Sequence, residues 1–192
     1  IKEIAKITHK YNKKIRVVVD NTFASPYCQN PIKLGADIVV HSCTKYINGH
    51  ADLICGAILG TKEDLAQAQM VGIKDCTGAV LDAGAAFLVN RGLSTLAVRM
   101  EQHCKNAMEI AQWLDKCKYV KVVNYPGLPN NKYHNVAKKQ MNGYSGILSF
   151  ETNLSFEKTK KFVNSLKLFT LAVSLGGFET LIEHPARMTH ST

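Results

Sequence analysis

The stretch LGADIVVHSCTKYINGH at residues 34–50 joins a short β-branched run to a cluster of polar residues. The run GADIVVHS, residues 35–42, predicts a buried strand. Ser42, Thr44 and Lys45 lie at its end, so two hydroxyls and an amine lie together there. Ligands of open α/β sheets bind beyond the carboxyl ends of the strands. This stretch therefore indicates both a fold class and the position of a site.

Two further runs predict strands on either side of it in the chain. IRVVVD at residues 15–20 ends in Asp20, and LICGAILG at residues 53–60 is apolar and glycine-containing. Strands separated by helical or loop segments favour an α/β fold with a parallel-rich sheet. Asp20 would then add a carboxylate to the same rim of the sheet.

The second half of the chain has a different pattern. One long amphipathic helix is predicted at about 95–116 from the recurring apolar residues Leu96, Met100, Cys104, Met108, Ala111 and Leu114, with Trp113 expected in its core. Other helices are predicted at 2–12, 62–71, 79–90, 133–141 and 155–166, and other strands at 119–125, 146–152 and 168–173. We therefore assign residues 1–92 to the C-terminal part of a large α/β domain. Residues 93–192 are assigned to the linking helix and most of a smaller α+β domain.

The composition of the chain disfavours several classes of function. The 24 Lys and Arg residues exceed the 15 Asp and Glu residues, but the lysines are scattered, which disfavours a nucleic-acid partner. The sequence contains no apolar run of 18 residues, so it predicts no membrane-spanning helix. The six cysteines form no CxxC pair, and His184 and His190 have poor metal-ligand spacing, so no metal site is predicted. Reduced thiols in a cytoplasmic protein are the expectation.

The residues at the rim suit the chemistry of pyridoxal phosphate. A lysine can hold the aldehyde of this cofactor as a Schiff base. A carboxylate keeps the pyridine nitrogen protonated, so that the ring accepts electrons, and short hydroxyls can bind the phosphate. Asp20, Ser42, Thr44 and Lys45 supply these groups. On this evidence alone, Asp20 could equally cap a turn and Lys45 could be a surface lysine.

Longer motifs carry a resemblance that decides between these alternatives. The segments 18–27 (VVDNTFASPY), 34–50, 90–100 (NRGLSTLAVRM) and 168–177 (LFTLAVSLGG) resemble the trans-sulfuration family of pyridoxal-phosphate enzymes. The resemblance implies the type I, aspartate aminotransferase-like fold. It also implies that both ends of a longer polypeptide are missing, along with a ring-stacking tyrosine and a carboxylate-binding arginine.

Residue roles follow from that resemblance position by position. Lys45 would form the Schiff base and move protons at Cα and Cβ of the substrate. Asp20 would pair with the pyridine nitrogen, and Ser42 and Thr44 would bind the phosphate. Ser174 occupies the position that contacts the substrate carboxylate near the lysine.

Two details indicate a substrate within the family. VGIKDCTGAV at residues 71–80 resembles a methionine γ-lyase segment whose Lys-Asp pair, here Lys74 and Asp75, lies near the substrate. Val173 stands where cystathionine γ-lyases are expected to have a glutamate, and a valine suits the methyl group of methionine. The implied reaction is α,γ-elimination of L-methionine. Arg187 departs from the family's pattern, because the resemblance implies a small residue at that position.

Alternatives to this activity remain open. Cystathionine γ-lyase or γ-synthase activity is the alternative within the family, and an inactive cofactor-binding or assembly fragment is the alternative of another class. The resemblance also implies a homo-oligomer, a tetramer built from dimers, whose only other partner is a small amino-acid substrate.

Overall fold

The computed structural model describes residues 1–190. Its first part is a three-stranded sheet with helices around it. The elements in chain order are α1 (Lys2–Tyr11), β1 (Val18–Asp20), α2 (Ser25–Cys28), a short 3₁₀-helix (Ile32–Leu34), β2 (Ile38–Ser42) and β3 (Gly56–Leu59). All three predicted strands form, each shorter than its apolar run.

The sheet is mixed, with strand order β1-β2-β3. Strands β1 and β2 are parallel, and Asp20 is paired with Val40. Strand β3 is antiparallel to β2, with Ser42 opposite Gly56. In a sheet expected to be parallel-rich, β3 is therefore the antiparallel strand. Residues 43–55 contain turns but no helix, and a parallel return needs a longer crossover, usually helical.

A helical region follows the sheet. It consists of α3 (Lys62–Gln67), a π-helix (Ala68–Thr77), α4 (Ala83–Ser94) and α5 (Leu96–Asp115). Helix α4 begins later than the predicted residue 79, because the Asp82 carboxylate caps it by accepting from the N–H of Ala85. Every residue from 69 to 84 is exposed. The predicted boundary at residue 92 falls inside α4.

The remaining elements are small. They are β4 (Val120–Asn124), α6 (His134–Gln140), β5 (Ser149–Thr152), α7 (Phe156–Ser165), β6 (Thr170–Leu171), β7 (Leu181–Ile182) and α8 (Pro185–Met188). Strands β4 and β5 are antiparallel, and β6 and β7 are parallel. The prediction of helices and strands over 119–166 is confirmed within a few residues. Strand β7 and helix α8 were not predicted. No helix within residues 1–190 is long and apolar enough to cross a membrane.

Helix α5 connects two apolar clusters. One cluster packs its C-terminal half against Val123, Tyr125 and Leu128. The other packs its N-terminal half against Tyr46, the residue after Lys45. The expectation that Trp113 is core is wrong, because its side chain is 67% exposed. The buried residues of α5 are three, four or seven positions apart, which places them on one face. Leu114 lies on that face, so Trp113 lies off it.

Candidate active site

Thr22 links the ends of the two parallel strands. Its N–H donates to Asp20 Oδ1 at 2.9 Å, and its hydroxyl accepts from the N–H of Ser42 at 2.8 Å. Thr22 itself is buried. The carboxylate and the serine that end β1 and β2 are therefore held on one rim of the sheet. Sequence reasoning missed Thr22, although it lies within the VVDNTF motif.

The environment of Asp20 keeps it ionised. Hydrogen bonds from the hydroxyl and N–H of Thr22 lower the pKa of Asp20, and the neighbouring His41 adds a smaller effect in the same direction. Burial lowers the pKa of His41, which the Asp20 carboxylate partly offsets. The side chain of Asp20 is exposed, so the charge faces the open side of the rim.

The two hydroxyls differ in their availability. The Thr44 hydroxyl accepts from the N–H of Cys55 at 3.0 Å and lies 3.3 Å from the Cys55 carbonyl oxygen, to which it donates. The Ser42 hydroxyl makes no hydrogen bond within residues 1–190 and is half-buried. Ser42 can therefore donate to an anion at once, whereas Thr44 must first turn its proton away from Cys55.

Cys43, between the two hydroxyl residues, is a packing residue. Its side chain is buried, and burial together with the nearby Cys55 raises its pKa to about 11. A protonated, enclosed thiol is a poor nucleophile.

Lys45 meets Ser174, which is 129 residues further along the chain. Lys45 Nζ donates to Ser174 Oγ at 3.2 Å. Thr44 and Ser174 both line an open cavity of about 350 Å³. Val173, immediately before Ser174, is 53% exposed. The structure thus brings together the lysine and the residue that sequence reasoning placed near the substrate carboxylate.

Gly176 makes this contact possible. Its backbone has φ +82°, and a Cβ built there would lie 2.5 Å from Tyr46 N and 2.7 Å from the carbonyl carbon of Lys45. Only glycine permits both the left-handed backbone and such a close approach. The loop that carries Ser174 is therefore packed directly on the backbone of the lysine.

Arg99 holds the segment after Lys45 from the other side. Its Nη1 donates to the Tyr46 carbonyl oxygen at 2.7 Å, and its Nη2 donates to that of Gly92, also at 2.7 Å. Gly49 leaves room for the guanidinium, because a Cβ there would collide with it. Sequence reasoning missed this residue. Arg99 lies within a motif that carried the resemblance, but the motif does not show what it contacts.

Three other residues singled out from sequence lie apart from this set. Lys74 Nζ and Asp75 Oδ1 are 4.0 Å apart on the exposed π-helix. Within residues 1–190, neither side chain has a hydrogen bond or ion pair to Asp20, Ser42 or Lys45. Arg187 lies on α8 and borders a separate cavity of about 290 Å³.

The donor set at the rim suits one kind of group. The residues at and just after the ends of β1 and β2 supply an ionised carboxylate from Asp20, an available hydroxyl from Ser42 and the amine of Lys45. They match a ligand with an amine-reactive carbonyl, a protonated ring nitrogen and a phosphate. Pyridoxal phosphate has these three features, so the residues present fit it.

Comparisons with known proteins agree with this chemistry. The family model described as Cys/Met metabolism PLP-dependent enzyme matches residues 1–192. The L-methionine gamma-lyase of Fusobacterium nucleatum subsp. polymorphum is 51% identical over 191 residues, covering 100% of this chain and 48% of that protein. The cystathionine beta-lyase of Coxiella burnetii is 51% identical over 193 residues, again covering 100% of this chain and 48% of that protein. The chain thus spans about half the length of the curated relatives it matches.

A solved structure supports the fold. The crystal structure of metB from Corynebacterium glutamicum superposes with a TM-score of 0.91 at 46% identity, covering 98% of this chain and 48% of that one. The expected fold class is therefore confirmed, and pyridoxal phosphate is the cofactor of the matching family. The chain belongs to the Cys/Met metabolism family of PLP-dependent enzymes.

Proposed function

We propose that the protein containing this chain is a carbon–sulfur lyase that acts on L-methionine by α,γ-elimination. Methionine and water give methanethiol, 2-oxobutanoate and ammonia, and all atoms balance. The observation that carries the proposal is the 3.2 Å contact of Lys45 Nζ with Ser174 Oγ, on the rim that Asp20 and Ser42 share. A relative at 51% identity is named L-methionine gamma-lyase.

The residues of the rim have different proposed roles. Pyridoxal phosphate, when bound, supplies an electron sink for the carbon that loses its proton. Asp20 stays anionic because Thr22 lowers its pKa, and so it can keep a ring nitrogen protonated. Ser42 would donate to the phosphate, and Thr44, whose hydroxyl donates to the Cys55 carbonyl oxygen, could do the same with its proton turned away. These residues would bind and orient the cofactor.

Lys45 carries the proton transfers. Its amine would hold the cofactor aldehyde, and the same amine would move protons at Cα and Cβ of the substrate. Ser174 accepts from Lys45 and so fixes the direction of its amine. A base of this kind acts only within hydrogen-bond reach of the proton it removes. We infer that Ser174 also donates to the substrate carboxylate.

Substrate choice is assigned to residues beyond the rim. Val173 is exposed beside Ser174, and its apolar surface suits a thioether methyl group rather than a charged distal amine. We assign Lys74 and Asp75 to a hydrogen-bond network near the substrate, although their support is the resemblance alone. A second candidate activity, cystathionine cleavage, is favoured by the 51% identity to the cystathionine beta-lyase.

We also propose the setting in which this activity works. The six cysteines are free thiols, which suits the reducing cytoplasm. We propose that the protein forms a homo-oligomer, a tetramer built from dimers. Its only other partner in this proposal is an amino-acid substrate.

The test of substrate choice is Val173→Glu in the full-length protein. A carboxylate there would face the distal ammonium of cystathionine, so we expect kcat/KM for cystathionine relative to methionine to rise about tenfold, the size of one modest contact. The measurement is release of 2-oxobutanoate from methionine and of 2-oxobutanoate and pyruvate from cystathionine. Wild-type protein that retains the cofactor but cleaves neither substrate would contradict the proposed activity and favour a non-catalytic binding role. An unchanged ratio would remove Val173 alone from the argument.

A further inference from the structure

Two thiols outside the cofactor rim lie in contact. Cys28 in α2 and Cys104 in α5 have their Sγ atoms 3.6 Å apart, although 76 residues separate them in the chain. Cys28 is completely buried and Cys104 is half-buried. Gly143 packs over both, since a Cβ there would lie 3.1 Å and 3.2 Å from the two sulfurs. The pair is therefore enclosed at Cys28 and only partly enclosed at Cys104.

The two thiols differ in reactivity. A hydrogen bond from the Cys28 thiol lowers the pKa of Cys104 to about 7, against the opposing effect of burial, and N–H groups of Ser145 and Tyr144 add to the lowering. The same hydrogen bond and burial raise the pKa of Cys28. Cys104 is thus the more acidic and the more exposed of the two thiols, and the thiolate is the reactive form of cysteine.

We propose that Cys28 and Cys104 are a reversible disulfide site that responds to hydroperoxides. The Cys104 thiolate attacks one peroxide oxygen and breaks the O–O bond, which gives a sulfenic acid and releases hydroxide. The Cys28 sulfur then forms the S–S bond, and the sulfenic oxygen leaves as water with the thiol proton. Two thiols and one hydrogen peroxide become one disulfide and two waters. A dithiol reductant reverses the change.

Forming the bond requires a short movement of the two sulfurs. They must come about 1.5 Å closer to reach the disulfide length of about 2.05 Å. The link would join α2 to α5 within the cluster that also holds Tyr46, Leu96 and Met100. Oxidation would thus tie together two elements that pack behind Lys45.

Peptide mapping of the full-length protein tests the site without any enzyme assay. The protein is treated with hydrogen peroxide or with dithiothreitol, alkylated and digested with trypsin. Cys28 lies in the peptide 17–33 and Cys104 in the peptide 100–105. We expect these two peptides joined as one species after peroxide, and loss of that species after dithiothreitol.

Variants assign the two roles. Cys104→Ser should abolish the linked species, and Cys28→Ser should leave Cys104 as a sulfenic acid that dimedone labels. Cys76→Ser is the matched control, because Cys76 is exposed and remote from the pair, and it should keep the linked species. The proposal is overturned if wild-type protein shows oxidised Cys76 but no linked species. It is equally overturned if Cys104 stays unmodified in Cys28→Ser.

Discussion

The segment around Lys45 and the segment around Lys74 show how differently one chain fixes two lysines. Residues 43–49 are buried or half-buried, whereas every residue of 69–84 is exposed. Arg99 holds the first segment through the Tyr46 carbonyl, and Gly176 packs against its backbone. Among residues 1–190, Lys74 has an ion pair only to its neighbour Asp75, at 4.0 Å.

The roles proposed for the two lysines are therefore supported by different kinds of observation. The position of Lys45 is fixed by contacts from distant parts of this chain, and such preorganisation is what a catalytic group requires. The position of Lys74 is not fixed by other parts of the chain within residues 1–190. Its assigned role therefore depends on resemblance, and experiments on the two segments should give unequal effects.

The largest effect is expected from Gly176→Ala. In this variant the left-handed backbone would be strained, and the new Cβ would lie 2.5 Å from Tyr46 N. Strain and overpacking together should destabilise the folded protein by about 2–4 kcal/mol. Gly177→Ala is the matched control, since its nearest neighbour would be Ala51 Cβ at an ordinary 3.7 Å. Denaturant unfolding of both variants measures the difference. Equal stability of the two would show that the close packing on Lys45 is not real.

Asp20→Asn should have the next largest effect, on turnover rather than folding. The amide cannot hold a ring nitrogen protonated, so we expect a loss of about 10²-fold in kcat, comparable to removing one preorganised electrostatic contact. Asp115→Asn, at an exposed carboxylate that accepts from Asn130, is the control and should be neutral. Turnover of methionine at a saturating cofactor concentration is the measurement. Full activity of Asp20→Asn would remove Asp20 from the cofactor site.

The smallest effect is expected from Lys74→Ala. Exposed ion pairs contribute about 1 kcal/mol or less, so kcat/KM for methionine should fall by no more than about fivefold, with cofactor retention unchanged. Retention is measured by absorbance after gel filtration. A loss of cofactor comparable to that of a Lys45 variant would erase the contrast between the two segments.

Sequence reasoning succeeded where the relevant signal is local. Asp20 and Ser42 end β-branched runs, so the rim could be predicted from strand periodicity. Ser174 was reached through resemblance, because no local pattern predicts a contact across 129 residues. Thr22 and Arg99 were missed for the same reason, since their roles depend on which backbone groups they meet.

The differences from expectation have physical causes as well. The direction of β3 depends on whether residues 43–55 form a helix, and turns form there instead. Trp113 was placed in the core by residue type, although its position on α5 lies off the buried face. All the assigned site roles and the boundary at residue 92 stay predictions; the residues concerned are Asp20, Ser42, Thr44, Lys45, Lys74, Asp75, Val173 and Ser174.

Borohydride trapping tests the central claim, that Lys45 holds the cofactor, most directly. Reduction of the full-length protein should fix pyridoxal phosphate to one lysine and block tryptic cleavage there. We predict a labelled peptide spanning residues 34–62, uncleaved at Lys45. Lys45→Ala should lack the label, and Lys74→Ala should keep it. Label on any other lysine, or none on a protein that retains the cofactor, would contradict the account.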